Sequence, residues 1–182
     1  MTSLKTRRSY NIPNHAHFLT FSCYKRLPLF DSDISCQWLI DSLKVVRYTQ
    51  QVSLIAYVIM PEHVHLLIHP RTETYQISRI LAAIKRPVSK LARAWYTQHD
   101  PKMMNTLRVE QGNRVNFRFW QAGGGYDRNI TDRDSIRQIA DYIHGNPVRR
   151  GLAQQPTDWD WSSARYWAGE RDVQLVMDRV AL

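Results

Sequence analysis

With 182 residues, the chain is sized for one ordinary globular domain. Its 25 Lys and Arg against 16 Asp and Glu give a net charge of +9, and cations clustered on so small a protein point to a polyanionic partner. Hydrophobic residues at 43% beside 23% charged ones exclude wholesale disorder and low-complexity chains, and no run approaches the roughly 18 apolar residues of a membrane span.

The opening residues, Met1-Thr2-Ser3-Leu4-Lys5-Thr6-Arg7-Arg8, lack the apolar core of a secretory signal. Cys23 and Cys36 are too few for a disulfide framework and show no CxxC spacing for zinc. A reducing, cytoplasmic setting is the expectation.

In chain order, residues 16–24 (AHFLTFSCY) are rich in β formers and read as a strand. Residues 31–50 open with Asp and Ser cap candidates and place Ile34, Trp38, Leu39, Leu43 and Val46 at helical spacing. Residues 52–60 (VSLIAYVIM) read as a buried strand, and 63–69 (HVHLLIH) as a second one joined to it at Pro61-Glu62, making a hairpin. Over 75–96, Ile77, Ile80, Leu81, Ile84, Val88, Leu91 and Trp95 predict a helix that Pro87 should kink or split, because proline lacks an amide donor and clashes with the preceding turn. Residues 97–116 are polar and are expected to contain a loop, 117–121 (FRFWQ) reads as a short strand and Gly123-Gly124-Gly125 as a flexible turn. The last helix spans 132–145, capped by Thr131 or Asp132 and stopped at Gly145-Asn146-Pro147. Trp159, Trp161, Tyr166 and Trp167 are expected to pack back on the core.

This order predicts an α+β fold: an antiparallel, ferredoxin-like split βαβ sheet with helices on one face and an added C-terminal helix. One domain is expected over residues 10–167, with 1–9 and 168–182 as terminal tails.

The sharpest chemical feature is Pro61-Glu62-His63-Val64-His65. Alternate side chains of a strand share a face, so His63 and His65 project together, roughly 6 to 7 Å apart, and two imidazoles so placed suit adjacent positions on one divalent cation. An HxH pair also occurs on strands without any chemistry. His69 lies about 13 Å along the strand from His65, too far to join them, and Leu67 stands where a triad of alternating histidines would need its third member. A third ligand must come from elsewhere. Tyr142 and Asn146, four residues apart, would share one helical face and point a phenol and an amide oxygen the same way, provided the helix persists to its last turn.

Three segments taken together, PEHVH after an apolar strand, FWQAGGGYDRNI, and DYIHGNPVRRGL followed by DWDWSSARYW, resemble the single-tyrosine HUH transposases, specifically the REP-associated tyrosine transposases. The resemblance covers residues 11–167. It implies that His63 and His65 are metal ligands, that Tyr142 is the nucleophile, and that Asn146 supplies an amide ligand. His144, where many relatives carry Tyr or another residue, and the triple glycine depart from the common pattern and bear on substrate details. The implied reaction nicks single-stranded DNA through a 5′-phosphotyrosine and rejoins strands, with Mg²⁺ or Mn²⁺ as cofactor. Its implied substrate is a palindromic hairpin with a short flanking guide, and nucleoid association through DNA would follow. A monomer is favoured over a homodimer.

Basic candidates for DNA contact are Arg7, Arg8, Lys25, Arg26, Lys85, Arg86, Lys90, Arg93, Arg149 and Arg150. Glu62 is open to a role as acid, base or outer support. Two other functions stay open: a domesticated hairpin-DNA-binding protein with little or no strand transfer, and a metal-dependent phosphoester hydrolase in which Tyr142 is structural.

Overall fold

The computed structural model describes residues 10–180; Arg7, Arg8 and the rest of segment 1–9 lie outside the described residues. Its frame is a four-stranded antiparallel sheet with spatial order β2-β3-β1-β6, formed by β1 (Ala16–Ser22), β2 (Val52–Met60), β3 (His63–Pro70) and β6 (Tyr126–Ile130). This is the split βαβ arrangement expected. α1 (Asp33–Thr49) connects β1 to β2, and α2 (Ile77–His99) leaves β3. After α2 come α3 (Pro101–Thr106) and a separate two-stranded ribbon, β4 (Arg108–Gln111) and β5 (Arg114–Phe117). α4 (Arg133–His144), α5 (Asn146–Arg149) and the short α6 (Ala164–Trp167) complete the α-helices among the described residues.

The period-2 alternation of β1 and β3 sorts side chains to two cores. Leu19, Phe21, Val64, Leu66 and Ile68 face α1 and α2, whereas Phe18 and Leu67 face α4 through its Ile139, Ala140 and Ile143. In β2 the register shifts between Leu54 and Ala56. This bulge changes the phase, so Val52, Leu54, Tyr57 and Ile59 serve the first core while Ile55, Ala56, Val58 and Met60 serve the second. That double burial is why the strand is apolar throughout.

Several expectations are corrected. α2 runs unbroken through Pro87. The carbonyl that Pro87 leaves without its helical donor is that of Ala83, and Ser42 Oγ on α1 lies against it at 3.5 Å while donating to Ile84 O at 2.8 Å. Residues 97–116 hold more than a loop, since they carry α3 and most of the ribbon; Asp100 accepts from the Met103 amide to start α3. FRFWQ is not a sheet strand: Phe117 ends β5, Phe119 and Trp120 sink into the core against Phe30 and Phe21, and a single bridge joins Trp120 to Cys23. The fourth sheet strand is β6, immediately after the glycines. There Gly125, at φ 72°, brings its backbone so close to β1 that a Cβ would stand 2.0 Å from Thr20 O.

The outer edge of β2 is covered by the C-terminal segment. Trp159 Nε1 and Trp167 Nε1 donate to the carbonyls of Ile59 and Ile55, and Ile59 N–H donates to Trp161 O. Asp178 accepts from Leu54 N–H through its carboxylate and returns its own amide to Leu54 O. The four aromatics thus pack back on the body, and segment 168–180 lies against it as well, with Leu175 and Met177 buried. Among the described residues, no helix is long and apolar enough to cross a membrane.

Candidate active site

The β2–β3 hairpin puts His63 and His65 on the sheet face that α4 covers. Across the β1–β3 ladder, Thr20 stands opposite His65 and Ser22 opposite His63. Both imidazoles are almost fully buried, and their Nε2 atoms face each other at 3.1 Å.

Each ring is held by its other nitrogen. Glu62 Oε1 lies 3.1 Å from His63 Nδ1, and the same oxygen accepts from Arg150 at 2.7 Å and Arg26 at 3.2 Å. Burial pushes the Glu62 carboxyl up, but the Arg150 hydrogen bond, the His63 ring and the Arg150 charge outweigh it and bring the group down to about 2. An ionised carboxylate only accepts, so His63 Nδ1–H is the donor and its Nε2 lone pair points at His65. His65 Nδ1 sits 2.7 Å from Thr20 Oγ1. A hydroxyl serves as donor or acceptor, so His65 can turn its own Nε2 lone pair to the same point. Burial lowers the pKa of both rings, that of His65 to about 3 with help from His63 and the nearby Arg149. Both are therefore neutral near pH 7, the form that ligates metal.

Tyr142 comes from the last turn of α4 and Asn146 from the start of α5. The helix does not persist to Asn146 as one element: α4 ends at His144 and Gly145 separates it from α5. The one-turn relation survives because Asn146 Nδ2 donates to Tyr142 O at 3.0 Å. With its nitrogen so engaged, Asn146 holds its side chain beside His65, where it opposes the lowering of that ring's pKa. The Tyr142 ring stands edge-on to His65 with centroids 5.7 Å apart and edge-on to Phe18 at 5.9 Å. The Arg149 guanidinium lies over it 4.4 Å from the centroid and donates to Tyr142 O. Gly145 makes room for this, since a Cβ there would stand 2.7 Å from an Arg149 nitrogen. Tyr142 remains 46% exposed, so the phenol is open to a ligand from solvent.

Among the described residues, no three His, Cys, Asp or Glu side chains group to hold a metal. The donor set that does converge is two imidazoles with the Asn146 side chain beside them. It fits a divalent ion: adjacent ligands of an octahedral ion with bonds of about 2.1 Å stand about 3.0 Å apart, close to the 3.1 Å between the two Nε2 atoms.

Of the basic candidates, Arg26 and Arg150 pair with Glu62, and Arg149 covers Tyr142. Lys25 lies beside Tyr24, and Lys85 lies over Phe21 and Trp120. Lys85 lines a groove of about 240 Å³ with Thr20, Gln121, Gly123 and Tyr126. Arg86, Lys90 and Arg93 are exposed on α2, which packs against the opposite face of the sheet from Tyr142. Sequence reasoning missed Thr20, Phe18 and the contact of Arg149 with Tyr142. The one local signal for Thr20 was a polar residue on the same β1 face as Phe18.

Residues 11–146 match the family described as "Transposase IS200 like". The chain is similar to a putative REP-associated tyrosine transposase of Haemophilus influenzae, 27% identical over 138 residues that cover 68% of this chain and 71% of that protein. In structure it is similar to a REP-associated tyrosine transposase solved bound to a REP hairpin, with TM-score 0.67 and 21% identity over 98% of this chain and 100% of the other. A putative transposase from Deinococcus radiodurans is more distant, with TM-score 0.46 and 21% identity over 78% of this chain and 97% of that one. With the family match spanning most of its length, the chain belongs to the IS200-like transposases.

Proposed function

We propose that this transposase cuts and rejoins single-stranded DNA at palindromic hairpins, with Tyr142 as nucleophile and with His63, His65 and Asn146 holding Mg²⁺ or Mn²⁺. The observation that carries the reading is convergence: two Nε2 atoms 3.1 Å apart, the Asn146 side chain beside the same histidine, and a phenol ring 5.7 Å from it. Bound there, a divalent ion supplies charge stabilisation at the scissile phosphate. Phe18 and Arg149 hold the phenol from two sides, so its orientation is set before DNA arrives. In the step, the bond from Tyr142 Oη to phosphorus forms as the bond from phosphorus to O3′ breaks. The phenol gives up its proton and the departing 3′ oxygen takes one. The product is a 5′-phosphotyrosine and a free 3′-hydroxyl, and another 3′-hydroxyl reverses the step on a new strand without ATP.

All four side chains come from one chain, which supports a monomer with its site in cis. The hairpin substrate is supported by the structural neighbour, which is bound to a REP hairpin; action on cellular DNA in the cytoplasm follows. The test is a labelled single-stranded hairpin incubated with the protein and Mn²⁺, then run on a denaturing gel. A covalent adduct that disappears in Tyr142→Phe is expected. Cleavage surviving Tyr142→Phe overturns the covalent mechanism in favour of a water-using hydrolase, and binding without cleavage by the unaltered chain makes it a hairpin-binding protein. His63→Ala is expected to abolish cleavage while leaving most of the hairpin affinity.

A further inference from the structure

The β4–β5 ribbon belongs to neither face of the main sheet, and the active site makes no use of it. Its register pairs Arg108 with Phe117, Val109 with Asn116, Glu110 with Val115 and Gln111 with Arg114. Alternation therefore gives it two unlike faces. One carries Arg108, Glu110, Val115 and Phe117. The other carries Val109, Gln111, Arg114 and Asn116, and Arg118 extends it, reaching Gln111 Oε1 at 3.4 Å. Gln111, Arg114 and Asn116 are all exposed. This second face has no carboxylate, and its polar groups are an amide pair and two guanidiniums.

We propose that this ribbon is a sequence reader that lies in the major groove of the double-stranded stem of a DNA hairpin. Three observations support it. A B-form major groove, about 12 Å wide, admits a two-stranded ribbon, and a four-residue strand of about 13 Å spans roughly four base pairs. The exposed face holds the side chains that read purine edges: Arg pairs with guanine O6 and N7, and Asn or Gln with adenine N6 and N7. The ribbon's root also adjoins the active site. Tyr24 N–H donates to Phe119 O just beyond β5, and Arg26, two residues after Tyr24, reaches Glu62 beside His63. One DNA molecule can thus meet Tyr142 with its single strand and the ribbon with its stem. Its charge also suits a polyphosphate, with Arg108, Arg114 and Arg118 against Glu110 alone on β4, β5 and the residue that follows. Duplex RNA is disfavoured because its major groove is too deep and narrow for side chains to read.

The inference rests on the proposed action at DNA hairpins, and its test keeps the two apart. A pool of DNA hairpins with randomised stems is selected in parallel against the unaltered protein, Arg114→Ala and Gln111→Ala. These residues are exposed, so thermal melting should match the unaltered chain. The unaltered protein is expected to enrich defined base pairs within a window of about four. Each variant should lose the preference at one or two of these, with affinity for the selected hairpin falling roughly tenfold. Adduct formation on an unstructured oligonucleotide at saturating concentration should be unchanged. The same stem pairs enriched by variants and unaltered protein alike would overturn the inference, as would an RNA hairpin of the selected sequence competing equally. If the unaltered protein enriches no stem pairs yet still forms the Tyr142 adduct, the ribbon role fails and the nicking reaction stands.

Discussion

Glu62 accepts from three side chains at once, and that is what fixes the tautomer of His63. A carboxylate this buried is costly unless fully paired; here Arg26 and Arg150 supply the pairing from outside. Arg26 does so from a strained backbone, since it and Lys25 both take positive φ, 54° and 51°. Strain of this kind persists where the surroundings over-determine it, often beside a functional site. On the other ring, Thr20 holds His65 Nδ1 with a hydroxyl, which accepts either tautomer. Thr20→Val keeps the shape and removes the partner of His65 Nδ1, so Mn²⁺ affinity measured by calorimetry is expected to fall about 10- to 100-fold. The pair of histidines and the Tyr142–Asn146 spacing were legible in the sequence because each is set by one local period. Thr20 lies 45 positions from His65, and Arg150 lies 88 from Glu62. Only strand register and helix packing bring those together, so no local pattern announces them.

Among the elements, α2 shows how a neighbour alters what proline does. Pro87 predicts a break, yet Ser42 comes from α1 to the carbonyls at the gap. Ser42→Ala would remove a buried hydroxyl that donates to Ile84 O and lies against Ala83 O, the carbonyl without a helical donor, and a loss of about 1–2 kcal/mol in urea denaturation is expected. β2 was readable as a continuous apolar run, and β3, α1 and α4 because apolar residues mark their buried faces at period 2 or 3.6. The ribbon and β6 were not. RVEQ and RVNF are mostly exposed and YDRNI is polar between its end residues, so they show no apolar alternation, and backbone pairing with a neighbour is what makes them strands. FRFWQ misled in the opposite sense: its aromatic content reflects burial beneath α2, for which no ladder is needed.

At the scale of the whole molecule, burial sets the alkaline limit. It pushes the thiol of Cys36 up to about 12, that of Cys23 higher still, and the phenols of Tyr75 and Tyr96 to about 12. In the unfolded chain thiols ionise near 8.5 and phenols near 10. Above about pH 8.5 the folded state therefore holds protons that the unfolded state has released, and stability falls as pH rises. Urea midpoints are expected to be level from pH 7 to 8 and to drop steadily beyond 9. A Cys23→Ala, Cys36→Ala double variant should show a shallower drop. The +9 charge has its own readout. If it grips the backbone of a hairpin, affinity should fall about a hundredfold or more between about 50 and 200 mM salt, as several phosphate contacts require.

The C-terminal cover on β2 also has a meaning in time. Trp167 lies 112 positions after the carbonyl it caps at Ile55, and Asp178 lies 124 after Leu54. At a synthesis rate of about 5–20 residues per second, the edge of β2 waits roughly 6 to 25 seconds on the ribosome before its cover emerges. For that interval a nine-residue apolar strand offers open amides and carbonyls to any other chain. The newborn protein is thus most prone to mispairing at one known place and during one known window, and a chaperone that shields strand edges should raise its soluble yield.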